Sequence, residues 1–318
     1  MRVLLTNDDG VDADGLLAIR AALSATCDSV ITVAPETDCS GFARKCTFAR
    51  PVGVARVAGG QHPIYSCDGT PTDCVRVGLL GGLATSADLV VSGINHGANL
   101  ADDVVYSGTV GAGLEAAILG TPAMCLSQQT PTGSFSVNYR EDLARIGLAY
   151  DFEFAAHHGA ALAQAVMLAR PAEPVVLNVN YPARHADAAA GTTRTGGVAV
   201  ADAVSLLTKA GRRDYPRAPQ ANWADGEVHC MYLFGEPDEI IPETDGSLAT
   251  DVGALRAGHI SVTPLSFAVE LRDLSPGFEA FIDRVADTFP LAGASAPEAR
   301  VRRQLPGPAV SGGPDLNP

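Results

Sequence analysis

The sequence predicts an α/β fold, built on a mostly parallel sheet flanked by helices, from two observations. The first is an apolar strand at residues 2–6, a helical pattern at 14–27 and a second strand at 29–34. Strand, helix and strand in this order form a parallel pair with a right-handed crossover. The second is residues 88–92, which are apolar on both faces, as in a buried parallel strand.

The first helix is predicted from its apolar periodicity. Leu16, Ile19, Leu23 and Cys27 recur at the spacing of one helical face, which a sheet can bury. Strands and helices continue to alternate along the chain until about residue 182, and this alternation supports the predicted sheet.

Some polar residues have structural roles that explain them fully. Thr70 takes the N-cap position of a helix, Pro71 its first helical position and Asp73 its third, which together form a capping box. His157 and His158 are adjacent on a helix and point to different sides, so we interpret them as core or surface histidines rather than a metal pair.

Charge and hydropathy exclude several classes of partner. The 318 residues include 22 basic and 36 acidic side chains, for a net charge of −14. This balance argues against a surface for nucleic-acid duplexes or anionic lipid. A bound phosphate would therefore need a metal ion or a helix N-terminus nearby. No segment approaches the ~20 apolar residues of a membrane helix, so no membrane partner is expected.

The cysteines and the N-terminus predict a cytoplasmic protein. The seven cysteines are odd in number and form no Cys-x-x-Cys pair, which is typical of thiols in a reducing compartment. The apolar run at the N-terminus is too short for a secretory signal.

The chain divides into four predicted segments. Residues 1–182 carry the strand and helix alternation and form the catalytic core. Residues 183–250 lose it and are expected to form extended hairpins that reach a neighbouring subunit. Residues 251–290 are expected to return to the core as a helix, a strand and a further helix. Residues 291–318, rich in Pro, Ala and Gly, are expected to form a disordered tail.

Two adjacent carboxylates, Asp8 and Asp9, directly follow the first strand. Parallel strands present ligands at the carboxyl edge of their sheet. Neighbouring carboxylates repel each other unless a cation lies between them, and such oxygens suit Mg²⁺, Mn²⁺ or Ca²⁺. The alternative is a solvated Asp-Asp-Gly turn.

The second and third strands also end in loops that carry oxygen ligands. Ser40 lies in the loop after residues 29–34, where Ser-Gly is either a simple turn or a source of metal-ligating oxygen. Asn95 lies in a Gly-rich loop after residues 88–92. Because these loops gather at one sheet edge, Asp8, Asp9, Ser40 and Asn95 together form a shell for one hard divalent ion.

An anion site is predicted just downstream, where Ser107, Gly108 and Thr109 open a helix that runs to about Leu119. Backbone N–H groups and two hydroxyls at a helix N-terminus can bind an anion without a basic residue. An ordinary Ser/Thr cap is the alternative. A metal beside an anion site suits hydrolysis of a phosphate ester.

These motifs resemble those of the SurE family, the survival-protein phosphatases that act as 5′/3′-nucleotidases. The match is dense over residues 1–127 and loose to about 290. It rests on the following segments: Thr6–Gly10, Ala34–Pro35 with Ser40–Gly41, Asp68–Val75, Ser92–Asn99 and Asp102–Val110.

The resemblance implies a Rossmann-like core, a swapped C-terminal arm and a homodimer or homotetramer. It implies one divalent ion per subunit, Mg²⁺ or Mn²⁺, held by Asp8, Asp9, Ser40 and Asn95. The substrates would be nucleoside monophosphates, with short polyphosphate as an additional one. Residues 37–39 depart from the family, because they lack the basic residues common before this serine.

The mechanism we hypothesise is metal-assisted attack of water on the phosphate. Asp9 acts as general base and Asp8 mainly as a ligand. Residues 107–109 hold the phosphoryl oxygens, and Asn99 orients the phosphate.

Other function classes fit less well. A non-catalytic nucleotide- or phosphate-binding sensor is the main alternative. A receiver-type signalling domain needs an aspartate after its third strand, and no aspartate lies between Ser40 and Cys67. A dinucleotide oxidoreductase would carry a Gly-x-Gly-x-x-Gly turn, which is absent after the first strand.

Overall fold

The structure is a computed structural model. The residues that it describes are 1–133, 143, 147–169, 171, 173–187, 192–195, 198–199, 203–214, 220–224, 227–232, 238–240 and 249–266. All of them fall within residues 1–267, the larger of the two units into which the chain divides.

The strands and helices follow one another closely over the first half of the chain. The strands are β1 Arg2–Thr6, β2 Ser29–Pro35, β3 Val54–Ala58, β4 Ile64–Cys67, β5 Leu89–His96, β6 Ala123–Gln128, β7 Val176–Tyr181, β8 Arg184–Asp187, β9 Thr192–Thr195, β10 Val198–Ala199, β11 Ser205–Leu207, β12 Arg212–Asp214, β13 Gln220–Ala224, β14 Glu227–Tyr232, β15 Asp238–Ile240 and β16 Ile260–Leu265. The helices are α1 Asp14–Ser24, α2 Pro71–Leu80, α3 Gly108–Ile118, α4 Glu153–Ala169 and α5 Asp251–Arg256, with a 3₁₀ helix at Ala101–Val105.

Nine of these strands form one sheet in the order β11-β16-β7-β6-β5-β1-β2-β4-β3. Its pairs are parallel, except that β16 runs antiparallel to β7 and β3 antiparallel to β4. The mostly parallel sheet flanked by helices confirms the predicted fold class.

The core lies on both faces of this sheet. Because side chains alternate along a strand, Leu5 packs with α1 and α4 on one face, while Leu4 packs with α2 and α3 on the other. Leu16, Ile19 and Leu23 of α1 are fully buried, as their periodicity predicts. Each such side chain stabilises the fold by about 1.5–3 kcal/mol relative to an exposed one.

The capping box at the start of α2 is confirmed. The Asp73 N–H donates to the Thr70 hydroxyl at 3.3 Å, and the Thr70 N–H donates to Asp73 Oδ2 at 2.9 Å. Asp73 also accepts bonds from the N–H and hydroxyl of Thr47, so it ties the preceding loop to the helix.

Strand β5 is longer than predicted. The sequence predicts a strand at 88–92 followed by a loop, but the strand continues to His96 after a register shift between Ser92 and Asn95. Gly93 at this irregularity has φ +132°, a value that glycine adopts readily. The peptide bond between Gly93 and Ile94 is cis. The sheet therefore carries Asn95 and His96 on a hydrogen-bonded strand.

Short strands fill much of the segment 183–250. Strands β8, β9 and β10 form one small antiparallel sheet, and the pairs β12–β15 and β13–β14 form two others. Strand β11 instead joins the edge of the main sheet, parallel to β16. The arm that reaches a neighbouring subunit and the segment boundaries stay predictions. The further helix expected at the end of the segment 251–290 and the tail at 291–318 lie outside the described residues.

No helix in the described ranges has the length and hydropathy that crossing a membrane requires. Cys27, Cys39, Cys46, Cys67, Cys74 and Cys125 are free thiols, as predicted, and the side chain of Cys230 lies outside the described part.

Candidate active site

The loops after β1, β2 and β5 meet at the carboxyl edge of the sheet. The Cys39 N–H donates to the Asp8 carbonyl oxygen at 2.7 Å, which joins the β2 loop to the β1 loop. The His96 N–H donates to Asp9 Oδ2 at 3.4 Å, which joins the end of β5 to the same loop. Three segments distant in sequence are thus brought together, as the parallel topology predicts.

Asp8 contacts the N-terminus of α3. Its side chain is buried, the Thr109 N–H donates to Oδ2 at 3.0 Å, and the Thr109 hydroxyl donates to Oδ1. Gly108 permits this approach, because a Cβ there would lie 2.9 Å from Asp8 Oδ2. The partial positive charge of the helix N-terminus stabilises the carboxylate.

The charge of Asp9 disfavours the charge of the buried Asp8. Burial, and then the charge of Asp9, raise the pKa of Asp8 to about 7, although the two bonds from Thr109 act in the opposite direction. A divalent cation beside both groups would offset desolvation and repulsion together. The carboxylate pair therefore fits a metal ion.

Asp9 pairs with His96, a contact that sequence reasoning missed. His96 Nδ1 lies 3.0 Å from Asp9 Oδ1, and their side chains are 7% and 6% exposed. The imidazole ring meets Tyr150 and Phe152 edge-on, with centroids 4.8 Å away in both cases. His96 belongs to the Gly-rich motif after the third strand, but its spacing gives no sign of an aspartate partner.

Asn95 and Ser40, the two predicted neutral ligands, flank these contacts in the chain, next to His96 and Cys39. Asn95 donates its Nδ2 to the Gly97 carbonyl oxygen at 2.8 Å, so Oδ1 is the atom that it can offer to a cation. Ser40 is exposed, and its N–H donates to Asp38 Oδ1 at 2.7 Å. It directly follows Cys39, which holds the Asp8 loop.

This donor set suits a hard divalent ion. It consists of two carboxylates, an amide oxygen and a hydroxyl, the ligand types that Mg²⁺ and Mn²⁺ prefer. The part of the chain that the structure describes contains no group of three or more His, Cys, Asp or Glu side chains that could hold a metal ion. The predicted site does not require one, because only two of its ligands are of these types.

Two residues of the predicted anion site, Ser107 and Thr109, already bond to other groups of the protein. Ser107 is the N-cap of α3, and its hydroxyl accepts from the Val110 N–H at 3.0 Å, which matches the ordinary-cap alternative. Thr109 directs its N–H and hydroxyl at Asp8. The N–H of Gly108 is the first-turn donor that none of these contacts uses.

Asn99 is held by side chains from β6 and β7. Its N–H donates to Asn180 Oδ1 at 2.8 Å, and its Nδ2 donates to Ser127 Oγ at 2.8 Å. Its carbonyl oxygen accepts from Nδ2 of both Asn178 and Asn180. The amide nitrogen has two hydrogens, so one remains in addition to the Ser127 bond.

Asp251, at the start of α5, is a second residue that sequence reasoning missed. It is fully buried and accepts from the Ala101 N–H at 2.9 Å and the Gly211 N–H at 2.8 Å. These bonds fix the segment that follows Asn99. The only sequence signal is an aspartate after Thr250, which is typical of any helix N-terminus.

A separate groove of about 630 Å³ runs between α1 and α4 and is lined mainly by alanines. None of the predicted site residues lines it. The groove therefore plays no part in the site at the carboxyl edge.

The family model described as Survival protein SurE matches residues 3–202, a range that contains every predicted site residue. The chain belongs to the SurE family. Family membership confirms the resemblance drawn from the sequence motifs.

Relatives within the family match nearly the whole chain. The 5′-nucleotidase SurE of Syntrophus aciditrophicus is 36% identical over 295 residues, which cover 92% of this chain and 98% of that protein. The 5′-nucleotidase SurE of Laribacter hongkongensis is 36% identical over 270 residues, covering 84% and 93% respectively.

The fold is also that of a solved SurE protein. The crystal structure of the SurE protein from Aquifex aeolicus matches with a TM-score of 0.65 and 27% identity, covering 91% of this chain and 99% of that one. The assignment of individual residues to metal and phosphate stays a prediction.

Proposed function

We propose that this SurE-family protein is a divalent-metal-dependent phosphomonoesterase that hydrolyses nucleoside 5′-monophosphates to nucleoside and phosphate. The relatives named 5′-nucleotidase SurE support a 5′-nucleotidase. The observation that carries the proposal is the buried Asp8 beside Asp9, set against the N-terminus of α3.

Asp8, Asp9, Ser40 and Asn95 are the residues that would hold the metal ion. Mg²⁺ or Mn²⁺ held there would supply Lewis acidity toward the phosphate and would make water a better nucleophile. Its charge would also offset the net charge of −14, which disfavours a phosphate dianion.

The chain's own residues do the remaining work. Asp9 takes the proton of the attacking water as general base, and Asp8 serves mainly as a ligand. Gly108 N–H and the second amide hydrogen of Asn99 donate to the phosphoryl oxygens as charge develops. Ser107 and Thr109 keep this helix N-terminus in place through the cap and the bonds to Asp8.

The finer expectations rest on the resemblance. They are activity on nucleoside 3′-monophosphates and short polyphosphate, and a homodimer or homotetramer. A cytoplasmic location is expected separately, from the cysteine pattern. The non-catalytic sensor remains the rival, and it would bind nucleotide without turnover.

The test is hydrolysis of AMP by the full chain with Mn²⁺ or Mg²⁺, with and without EDTA. We expect activity that EDTA abolishes and that Asp9→Asn lowers by at least about 100-fold. Asp12→Asn is the matched control, because Asp12 is exposed on the same loop. Activity that persists in EDTA, or in Asp9→Asn, would contradict the proposed chemistry, and binding without turnover would favour the sensor.

A further inference from the structure

The contact between His96 and Asp9 joins two buried side chains across the carboxyl edge of the sheet. His96 Nδ1 lies 3.0 Å from Asp9 Oδ1, and the His96 N–H reaches the other carboxylate oxygen at 3.4 Å. A carboxylate only accepts hydrogen bonds, so Nδ1 carries the hydrogen that it donates. One residue thus contacts both oxygens of Asp9.

The imidazole ring is itself held by packing. Tyr150 and Phe152 stack on each other with centroids 5.2 Å apart, and both meet the His96 ring at 83°. The backbone of His96 is paired with Gln128 of β6. Strand pairing and aromatic contacts together fix the direction of Nδ1.

We propose that His96 is a positioning residue, whose Nδ1–H fixes the orientation of the Asp9 carboxylate toward the divalent-metal site. The inference rests on the proposed function, since it assigns a partner to one of its metal ligands. Each carboxylate oxygen can accept two bonds, so a bond from His96 leaves Asp9 able to bind a cation. Hydrogen bonds that orient ligands in this way commonly change metal affinity by about 10- to 100-fold.

Two substitutions separate the hydrogen bond from the packing. His96→Phe keeps a ring against Tyr150 and Phe152 but removes the donor. His96→Asn removes the ring but places an amide N–H at the position of Nδ1. If His96 orients Asp9, His96→Phe should weaken metal binding and His96→Asn should not. If His96 acts by packing, the reverse is expected.

The experiment is a calorimetric titration of the full-length protein with Mn²⁺ alone. We expect His96→Phe to weaken Mn²⁺ binding about tenfold or more and His96→Asn to stay within about threefold of wild type. His157→Phe is the control, because His157 is exposed on α4, and its affinity should not change. Circular dichroism confirms folding. If His96→Phe does not fold, His96→Gln replaces it, because its amide reaches the Nε2 end of the ring and not Nδ1.

The outcomes distinguish the inference from the proposed function. Unchanged Mn²⁺ binding in a folded His96→Phe or His96→Gln overturns the inference, while wild-type metal binding and AMP hydrolysis stand. Weakening in His96→Asn but not in His96→Phe assigns His96 to packing and also overturns it. Wild-type protein that binds no Mn²⁺ overturns the metal-dependent function and the inference together.

Discussion

Two partly buried histidines of this protein face different partners. At the carboxyl edge, His96 meets the carboxylate of Asp9. At the junction of α4, β7 and β11, His158 lies 3.1 Å from the Tyr181 hydroxyl and 3.0 Å from Ser205 Oγ. The first histidine shares a region with two neighbouring carboxylates, and the second lies within hydrogen-bond distance of two neutral hydroxyls.

The two regions differ in the charge that surrounds the histidine, and this difference distinguishes the proposed catalytic site from a contact that stabilises the fold. Burial and repulsion by Asp9 disfavour the charge on Asp8, a cost that a cation in the proposed site would offset. The hydroxyls of Tyr181 and Ser205 satisfy both ring nitrogens of His158 without any charge. We therefore expect substitutions at the carboxyl edge to change activity and those at the junction to change stability.

The largest expected effect is that of Asp8→Asn. We expect kcat/KM for AMP to fall at least about 100-fold, because a metal-ligating carboxylate is lost. The unfolding temperature in EDTA should not fall, since the substitution removes a buried charge. The Thr109 hydroxyl can turn to accept from the new amide. Steady-state kinetics checks the expected fall in kcat/KM, and thermal unfolding checks the unchanged unfolding temperature. Wild-type activity, or a marked loss of stability, would break the comparison.

His158→Leu should have the converse effect. Tyr181 is a fully buried residue, only 1% exposed. The substitution leaves its hydroxyl without the ring partner, and we expect a loss of about 1–3 kcal/mol in the free energy of unfolding. The kcat for AMP should stay within about twofold of wild type. Denaturant unfolding measures the change, and His157→Leu is the control at the adjacent exposed position. A kcat that falls well beyond twofold in the folded variant would contradict the assignment of His158 to stability.

The pH dependence of stability sharpens the same contrast. Burial lowers the pKa of His158, so below pH ~6.5 the unfolded chain binds its proton more readily than the folded one. The stability contributed by His158 is complete above that pH and is lost as the pH falls. Between pH 8 and 5 the unfolding temperature should therefore fall less in His158→Leu than in wild type. Equal declines would show that other groups account for the slope.

Thr109→Val tests the contact between Asp8 and α3. It removes the hydroxyl bond to Asp8 Oδ1 but keeps the N–H bond to Oδ2, so we expect about a tenfold loss of kcat/KM for AMP. Thr72→Val is the matched control. Thr72 is also buried, and its hydroxyl has no hydrogen-bond partner within the described ranges. Equal effects of the two substitutions would assign Thr109 to packing alone.

Ser205→Ala should have the smallest effect. Ser205 is exposed on the edge strand β11, where water can replace its bond to His158. We expect at most about 0.5 kcal/mol of lost stability and unchanged hydrolysis of AMP. Denaturant unfolding of Ser205→Ala, measured in parallel with His158→Leu, gives the loss of stability. A loss as large as that of His158→Leu would show that the bond to Ser205, and not the bond to Tyr181, accounts for the stability that His158 contributes.

Local patterns predicted much of the fold. The apolar face of α1, the capping box of Thr70 and Asp73, and the helix that opens the segment 251–290 all depend on residues a few positions apart. The prediction for β5 was too short, because the register shift after Ser92 arises from pairing with β6 and not from local propensity.

The candidate site could be predicted only as a set of loops that gather at one edge. The parallel topology brings Asp8, Asp9 and Thr109 into contact with the other loops, as expected. The partners inside the site were not predictable, since amides such as Asn178 and Asn180 serve equally well in a strand interior or a ligand cluster.

The sequence by itself determined the strand and helix alternation, the carboxylate pair after β1 and the family. Only the tertiary structure decided that Asp9 meets His96, 87 residues away, and that Ala101 meets Asp251, 150 residues away. Periodicity and capping act over a single turn or strand, so they can be read locally. A hydrogen bond between distant segments depends on how the whole sheet and its helices pack.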